Sequence, residues 1–204
     1  MRKIKVGAFV SLDGVIQGPG TPDEDRSGGF DLGGWLVPLF DEEAGAVVDE
    51  LLGDNYDLLL GRKTYDIFAG YWPKAAANGD PLGKKFDAVT KYVASRDPGL
   101  KLAWQNSKHL GADPVAALRA IKREEGPDLV TQGSADFLQT LFASDLVDEM
   151  TLLSFPVLLG KGKKLFRDGI APATFALIDS KASGKGVVIN RYRRISGEVA
   201  TGSF

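Results

Sequence analysis

Cationic and hydroxyl side chains occur at three points where an apolar segment ends and the chain turns. Gly61-Arg62-Lys63-Thr64 follows the run DLLL, Ser95-Arg96 follows KYVA, and Gln132-Gly133-Ser134-Ala135 follows DLVT. The first and third corners lead directly into a predicted helix, and a helix start offers free N–H groups and a partial positive charge. Glycines and small residues let a phosphate approach the backbone. Together the corners predict binding of a pyrophosphate and a separate phosphate monoester.

Other interpretations of these corners are possible. GRKT does not complete a P-loop, because the first glycine of that motif is absent and Arg62 stands where the lysine should be. A Rossmann G-x-G-x-x-G is also absent. Either strand–glycine–helix corner alone is typical of a plain structural turn, so a purely structural domain is one alternative.

Composition excludes several classes of site. The 204 residues include no cysteine and one histidine, His109, which excludes thiolate catalysis, thiolate metal sites and histidine-paired metal clusters. A formal net charge of −2 favours neither nucleic acid nor an anionic membrane as partner. The sequence shows no signal peptide and no apolar stretch of membrane-spanning length, so we expect a cytoplasmic protein without a metal.

Hydrophobic periodicity predicts the elements that position these corners. Strands are predicted at 3–10, 57–60, 91–95, 102–106, 128–133 and 147–160 (bent near Pro156), and two more form a hairpin around 183–186. Helices are predicted at 39–53, 63–69, 114–126 and 134–144, with irregular structure and one short helical piece at 70–87. Alternating strands and helices predict an α/β fold with a mainly parallel sheet and an antiparallel edge. We expect one domain over residues 1–204, with a lid-like loop insert at about 13–38.

The order of the motifs resembles a known fold. SLDGVIQ, LLLGRKTY, KYVASR, DLVTQGSADFLQTLF and LVDEMTLLSFPVLLGKGKKLF are similar, in this order, to the dihydrofolate reductase fold. They more closely resemble stand-alone relatives of the RibD C-terminal reductase domain of riboflavin biosynthesis, over about residues 3 to 195. The resemblance implies a three-layer fold with helices on both faces of an eight-stranded sheet, NADPH as cofactor and a homodimer.

The resemblance also implies roles for individual residues. The proton donor is open: Asp13 lies in the loop expected to border the nicotinamide, but Ser-Leu-Asp-Gly is equally a natural turn. Trp35 and Trp72 are candidates for walls of the substrate site or for loop anchors. The cofactor-binding residues implied are Ala8, Phe9, Ile16, Gln17, Gly61, Arg62, Lys63, Thr64, Ser95, Arg96, Gln132, Gly133, Ser134, Ala135 and Phe137.

The substrate stays open between several heterocycles. In the riboflavin-pathway enzymes the corresponding motif is similar to SLDGK, with a lysine where this chain has Val15. The acidic lid residues Asp23, Glu24 and Asp25 would also repel a phosphorylated substrate. Acidic residues at 41–43 begin the helix that carries the pteridine-binding acid in folate reductases, but they are also ordinary partners of the helix dipole. The sequence predicts hydride transfer from NADPH to a small pyrimidine or pterin-like substrate. The alternative is a non-catalytic nucleotide-binding protein that retains the fold.

Several other side chains are expected to be structural. Tyr65 and Phe68 are predicted to pack their helix, Trp104 to lie in the core or at an interface, and His109 to occupy a surface turn. Lys161, Lys163 and Lys164 are predicted to form a solvated loop, and Arg191, Arg193 and Arg194 to protect an edge strand.

Overall fold

The computed structural model describes residues 1–203 and contains eight strands and five α-helices. The strands are β1 (Ile4–Ser11), β2 (Tyr56–Gly61), β3 (Lys91–Ala94), β4 (Ser107–His109), β5 (Asp128–Thr131), β6 (Glu149–Phe155), β7 (Thr174–Ala182) and β8 (Val188–Ile195). The helices are α1 (Glu42–Leu52), α2 (Arg62–Ala77), α3 (Pro81–Ala88), α4 (Pro114–Arg123) and α5 (Ala135–Ala143).

The strands form one sheet in the order β4-β3-β2-β5-β1-β6-β8-β7. The first six strands of this order are parallel, and β8 pairs antiparallel with both β6 and β7. The predicted α/β fold, with a mostly parallel sheet and an antiparallel C-terminal hairpin, is therefore confirmed. Because parallel strands all point the same way, the loops that follow β1 to β6 leave the sheet at one edge.

Helices cover both faces of the sheet, as the three-layer prediction requires. Leu59 of β2 packs with α4 and α5 on one face, whereas Leu58 and Leu60 pack with α1, α2 and α3 on the other. Successive side chains of a strand point to opposite faces, so a strand buried on both faces must be a continuous apolar run. The run LLL has this property and all three side chains are buried.

The segment 70–87, predicted to be largely irregular, is mostly helical. α2 continues to Ala77 with Pro73 inside it, and α3 follows directly. The reason is an aromatic cluster that the local sequence does not reveal. The Trp72 and Phe86 ring centroids lie 4.9 Å apart, and Phe68 stacks on Phe86 at 5.8 Å. Burial of these rings offsets the local cost of a proline in a helix.

Two strand boundaries and the position of one strand in the sheet also differ from the predictions. β6 ends at Phe155, because Pro156 has no N–H to continue a strand. The strand predicted at 102–106 forms instead at Ser107–His109, so His109 is a half-buried strand residue and not a turn residue. β8 is an inner strand and β7 is the edge strand of the sheet, so the prediction that the arginines of β8 protect an edge strand is wrong. Arg194, for example, pairs with Asp145 at 2.8 Å.

The segment that connects β1 to α1 is packed against the sheet. It contains two short 3₁₀ turns, Ser27–Gly29 and Val37–Leu39. Phe30 and Trp35 are buried in a cluster with Phe155 of β6, and the Trp35 indole N–H donates to the carbonyl of Gln17 at 2.9 Å. Among residues 1–203, none of the helices has the length and apolarity needed to cross a membrane.

A buried ion pair between Arg2 and Asp57 generates a stability prediction. Arg2 is 3% exposed and its guanidinium also donates to the carbonyl of Pro127. In Arg2→Met the Asp57 carboxylate would stay buried without its counter-ion, so we expect the free energy of unfolding to fall by about 3 kcal/mol. The exposed pair of the next residue, Lys3 with Glu149, provides the control, and Lys3→Met should cost less than about 1 kcal/mol. Urea unfolding measures both, and equal losses would contradict the assignment.

Candidate active site

The three predicted phosphate-binding corners lie side by side at the carboxyl edge of the sheet. They follow β3, β2 and β5, which are neighbours, and Gly61 and Ala94 are register partners at the ends of β2 and β3. The N–H of Gly61 donates to the carbonyl of Gly133 at 3.0 Å, which joins the first corner to the third. The fold therefore assembles the corners into one surface.

The assembled corners line an open groove of about 860 Å³. Seven of the residues predicted to bind a cofactor lie in its wall, namely Gly61, Arg62, Lys63, Ser95, Arg96, Ser134 and Phe137. His109, predicted to occupy a surface turn, also lines it, and its Nε2 lies 3.3 Å from the carbonyl oxygen of Ser95. This position could not be predicted from the sequence, because β4 starts five residues later than the predicted strand.

Three helices start at the groove, since Pro114 of α4 also lines it, and two of them, α2 and α5, differ from the other helices at their N-termini. Asp41, Asp80 and Asp113 cap α1, α3 and α4 with a carboxylate that accepts a backbone hydrogen bond. α2 starts after Gly61 and α5 after Ser134, and within residues 1–203 neither has a side-chain cap. The first N–H groups of α2 and α5 are therefore available to an anion, which the helix dipole also favours.

Glycines at these corners are required by space. A Cβ on Gly61 would lie 2.3 Å from Ser134 Oγ and 2.8 Å from Phe137 Cβ. Gly133 has a φ of +146°, which favours glycine, and a Cβ there would lie 2.8 Å from Thr64 Oγ1. Any side chain at these positions would separate the corners and obstruct approach to the two helix starts. The residues present thus fit a phosphate-containing ligand such as a dinucleotide.

The guanidinium groups of the groove differ in their pairing. Arg62 Nε lies 2.8 Å from Asp66 Oδ2, one turn along α2. Arg96 is exposed in the groove wall, and none of the ion pairs among residues 1–203 involves it. An unpaired guanidinium can form two parallel hydrogen bonds to a phosphate. Arg96 is therefore the cation best placed to receive an isolated phosphate monoester.

A second cavity of about 340 Å³ adjoins the groove, and Lys63, Ser134 and Asp136 line both. One part of this inner cavity is apolar, and its side chains are Phe9, Ile16, Leu36, Phe40, Val48, Ile67, Phe68, Trp72, Leu82 and Phe86. The other part carries Gln17, Glu24, Asp25, Thr64, Gln132 and Lys163 as well as the shared residues. A predominantly apolar pocket with a few polar groups is typical of a small-molecule site.

Asp25 fastens the lid over the charged part of this inner cavity. Its carboxylate contacts the ammonium of Lys63 through Oδ1 and that of Lys163 through Oδ2, the latter at 2.8 Å. Burial opposes ionisation of Asp25, but hydrogen bonds from Lys163, Lys63 and Ser27 outweigh it and hold the pKa of Asp25 well below its usual range. Lys163 is thus a lid contact rather than part of a solvated loop, a role that only the fold reveals.

Asp13 is held by the loop that follows β6. Its carboxylate accepts hydrogen bonds from the Ser11 hydroxyl at 2.6 Å and from the N–H groups of Leu159 and Gly160 at 3.1 and 2.8 Å. The Ser11 hydroxyl, followed by the two backbone N–H groups, lowers the pKa of Asp13 to about 2. An ionised, fully engaged carboxylate suits a loop anchor better than a proton donor, and Asp13 is not in the wall of the inner cavity.

The acidic start of α1 also has a structural use. Asp41 accepts from the N–H groups of Ala44 and Lys185, and Glu43 accepts from that of Gly184. These carboxylates therefore hold the β7–β8 turn. The residue that α1 contributes to the inner cavity is Val48, so this cavity lacks an α1 carboxylate that could bind a pteridine.

The remaining predicted site residues divide into two groups. Phe9, Ile16, Gln17, Thr64, Gln132, Gly133, Ala135 and Trp72 line the inner cavity. Ala8 and Trp35 are buried and belong to neither wall. The Gln17 side chain is engaged, because its amide donates to the carbonyls of Asp25 and Ser27 and accepts from Lys163 N–H at 3.0 Å. Among residues 1–203, no cluster of three or more potential metal ligands occurs.

Comparison with known proteins agrees with this fold. Residues 2–189 match the family model described as the RibD C-terminal domain. The protein YyaP of Bacillus subtilis (strain 168), whose given name says that it is uncharacterized, is 29% identical over 192 residues, 92% of each chain.

Two solved structures share the fold. A protein from Shewanella sp. PV-4, assigned provisionally to riboflavin biosynthesis by its name, has a TM-score of 0.65 at 20% identity, covering 95% of this chain and 99% of the other. Dihydrofolate reductase from Enterococcus faecalis, complexed with NADP(H), has a TM-score of 0.60 at 13% identity, covering 95% and 97%.

The engaged carboxylate of Asp13 predicts a pH-dependent contribution to stability. Its pKa of about 2 lies below the value of about 3.9 for an unfolded chain, so the ionised group stabilises the fold above about pH 4. This contribution should decrease as the pH falls from about 4 towards 2. The stability difference between wild type and Asp13→Asn should therefore be larger at about pH 6 than at about pH 3. A difference that is the same at both pH values would contradict the anchoring role.

The close approach at Gly61 predicts a large effect of a single methyl group. In Gly61→Ala the new Cβ must displace Ser134 or Phe137, so we expect the free energy of unfolding to fall by about 2 kcal/mol. Gly70 provides a matched control in α2, since a Cβ there meets no atom within 4 Å among the described residues. Gly70→Ala should be neutral or stabilising by about 0.5–1 kcal/mol. Chemical unfolding compares the two, and equal effects would contradict the spatial requirement.

Proposed function

The chain belongs to the RibD C-terminal domain family, and we propose that it is an NADPH-dependent reductase of a small heterocyclic substrate, pyrimidine or pterin-like in size. One observation carries the proposal. Three adjacent corners with two uncapped helix starts line a groove that is continuous with a largely apolar inner cavity. This arrangement suits a ligand with several phosphates beside a flat ring.

Each part of the groove has a role in this proposal. The starts of α2 and α5 would bind the pyrophosphate through backbone N–H groups, with the Thr64 side chain beside them, while Lys63 stays paired with Asp25. Arg96 and Ser95 would hold the 2′-phosphate, which distinguishes NADPH from NADH. Phe9, with Ile16 of the lid, would border the nicotinamide, as the family resemblance implies.

The chemistry would be a hydride transfer. When bound, NADPH supplies a hydride to an electron-poor carbon of the substrate while the neighbouring heteroatom takes a proton from water, which yields NADP⁺ and a substrate reduced by two electrons. The protein's contribution is to orient the ring on the aromatic wall and to exclude bulk water with the lid. The single domain over residues 1–204 and the homodimer stay predictions.

The alternative is a nucleotide-binding protein without catalysis. Every carboxylate in the inner cavity wall is engaged: Glu24 accepts from the N–H groups of Gly20 and Thr21, Asp25 pairs with two lysines, and Asp136 pairs with Arg167. Each of them is already held by at least one hydrogen bond or ion pair. This observation favours either protonation by water or the absence of turnover.

Oxidation of NADPH in the presence of pterins, pyrimidines and quinones separates the two functions. The reductase should oxidise NADPH faster with at least one of these compounds than without it. Binding of NADPH without any substrate-dependent oxidation would favour the non-catalytic alternative. Absence of NADPH binding would remove both and leave a structural domain.

Arg96 provides a direct test of cofactor selection. In Arg96→Gln we expect the Kd for NADPH to rise about tenfold, whereas the Kd for NADH should change by less than about twofold. Arg119, an exposed arginine of α4 outside the groove wall, provides the control, and Arg119→Gln should leave both affinities unchanged. Fluorescence titration measures the six constants, those of wild type and both variants for each cofactor. A parallel loss for both cofactors would contradict the role of Arg96.

A further inference from the structure

Acidic side chains outnumber cationic ones in the inner cavity, which is unexpected in a family whose riboflavin-pathway members act on phosphorylated substrates. Its cations within residues 1–203 are Lys63 and Lys163, and its carboxylates are Glu24, Asp25 and Asp136. The Asp25 carboxylate contacts both lysines, one with each oxygen. The cavity therefore offers no ammonium group that is free of an acidic partner.

Burial and hydrogen bonds hold both the side chain and the backbone of Asp25 in this position. Its side chain is 10% exposed, and Ser27 donates to the same carboxylate through its N–H at 3.0 Å and its hydroxyl at 2.6 Å. The Gln17 amide holds the Asp25 carbonyl at 3.0 Å. Because the backbone and the carboxylate are both fixed, the lysines are retained by a preorganised partner.

We propose that Asp25 determines substrate class by excluding phosphorylated molecules from the inner cavity, which is left to a flat, unphosphorylated ring. The inference rests on the proposed function, whose substrate it specifies. A phosphate that pairs with an ammonium there would have to take Lys63 or Lys163 from Asp25, which would leave the largely buried carboxylate with one lysine instead of two. Glu24 and Asp136 would add like-charge repulsion, so the site discriminates by an unfavourable interaction with the wrong ligand.

The aromatic side chains of the inner cavity suit a flat ring. Phe68 and Phe86 stack at 5.8 Å between ring centroids, Trp72 meets Phe86 edge-on at 4.9 Å, and Phe9 meets Phe40 edge-on at 6.0 Å. These aromatic side chains lie in the cavity wall. A planar heterocycle can stack on such surfaces without any charged contact.

The replacement of a lysine by Val15 in the lid is consistent with exclusion of a phosphate. Val15 stands where the riboflavin-pathway enzymes have a lysine, and its side chain is fully buried in a hydrophobic cluster with Phe30 and Trp35 of the lid. A lysine there could not stay buried without a partner, and it would have to reach out beside the loop that contains Lys163 and Lys164, whose backbone pairs with Val15. Position 15 of this chain therefore carries no cation that could bind a phosphate, and the lid places the carboxylate of Asp25 at the cavity instead.

Riboflavin and its 5′-phosphate test the inference, because they share one ring and differ by one phosphate. Binding is measured by flavin fluorescence with NADP⁺ present, so that the groove does not compete for the phosphate. Wild type should bind riboflavin at least about tenfold more tightly than the phosphate ester. In Asp25→Asn the freed lysines should reduce this preference to less than about threefold.

Asp23→Asn is the matched control. It removes the same charge from the same lid, but Asp23 pairs with Arg26 at the surface and lies outside the cavity wall. Its preference for riboflavin should equal that of wild type. A preference that also falls in Asp23→Asn would assign the effect to overall lid charge and overturn the role of Asp25.

The affinities of wild type for the two flavins also test the role of Asp25. Equal affinity of wild type for both flavins overturns it, as does failure of both flavins to bind, and the wild-type comparison stands even if Asp25→Asn does not fold. Failure of the proposed function is seen separately, in a titration with NADP⁺ alone that shows no binding. The difference in flavin preference between Asp25→Asn and Asp23→Asn does not depend on bound NADP⁺, because neither residue lines the groove, so the two failures are distinguishable.

Discussion

The contact between the ends of β2 and β5 is the constraint on which the rest of the site depends. The Gly61 N–H donates to the Gly133 carbonyl, and Ser134 occupies the space where a Gly61 side chain would lie. This contact places the starts of α2 and α5 side by side without side-chain caps. The paired helix starts, the groove between them and the position of Lys63 between groove and inner cavity all follow from it.

The lid adds a second layer of constraint through charge. Asp25 joins three parts of the chain that are distant in sequence: the lid itself, the start of α2 through Lys63, and the loop after β6 through Lys163. Asp13 connects the lid to the same loop through backbone N–H groups. Acidic residues that looked like a charged lid face therefore serve mainly to position the lid, and one of them also shapes what the cavity accepts.

The sequence predicted most of the fold, because apolar runs and glycine corners depend on local chemistry. The mostly parallel sheet, the C-terminal hairpin and the juxtaposition of the three corners follow from such local patterns. The helical segment at 70–87 was missed because its stability comes from Phe68, Trp72 and Phe86 packing together, which no local pattern shows. Lys163 and His109 were missed for a related reason. Their roles arise from the lid and from the register of β4, both of which are set by tertiary contacts.

Hydrogen exchange with and without NADPH tests the central claim, that the carboxyl edge of β3, β2 and β5 binds this cofactor. We expect NADPH to slow amide exchange at the three corners, around residues 61–66, 95–97 and 133–138. Amides around the separate cavity lined by Phe142, Met150 and Phe175, which has no proposed role in cofactor binding, should exchange at an unchanged rate. Unchanged exchange at all three corners, or protection confined to that other cavity, would contradict the account.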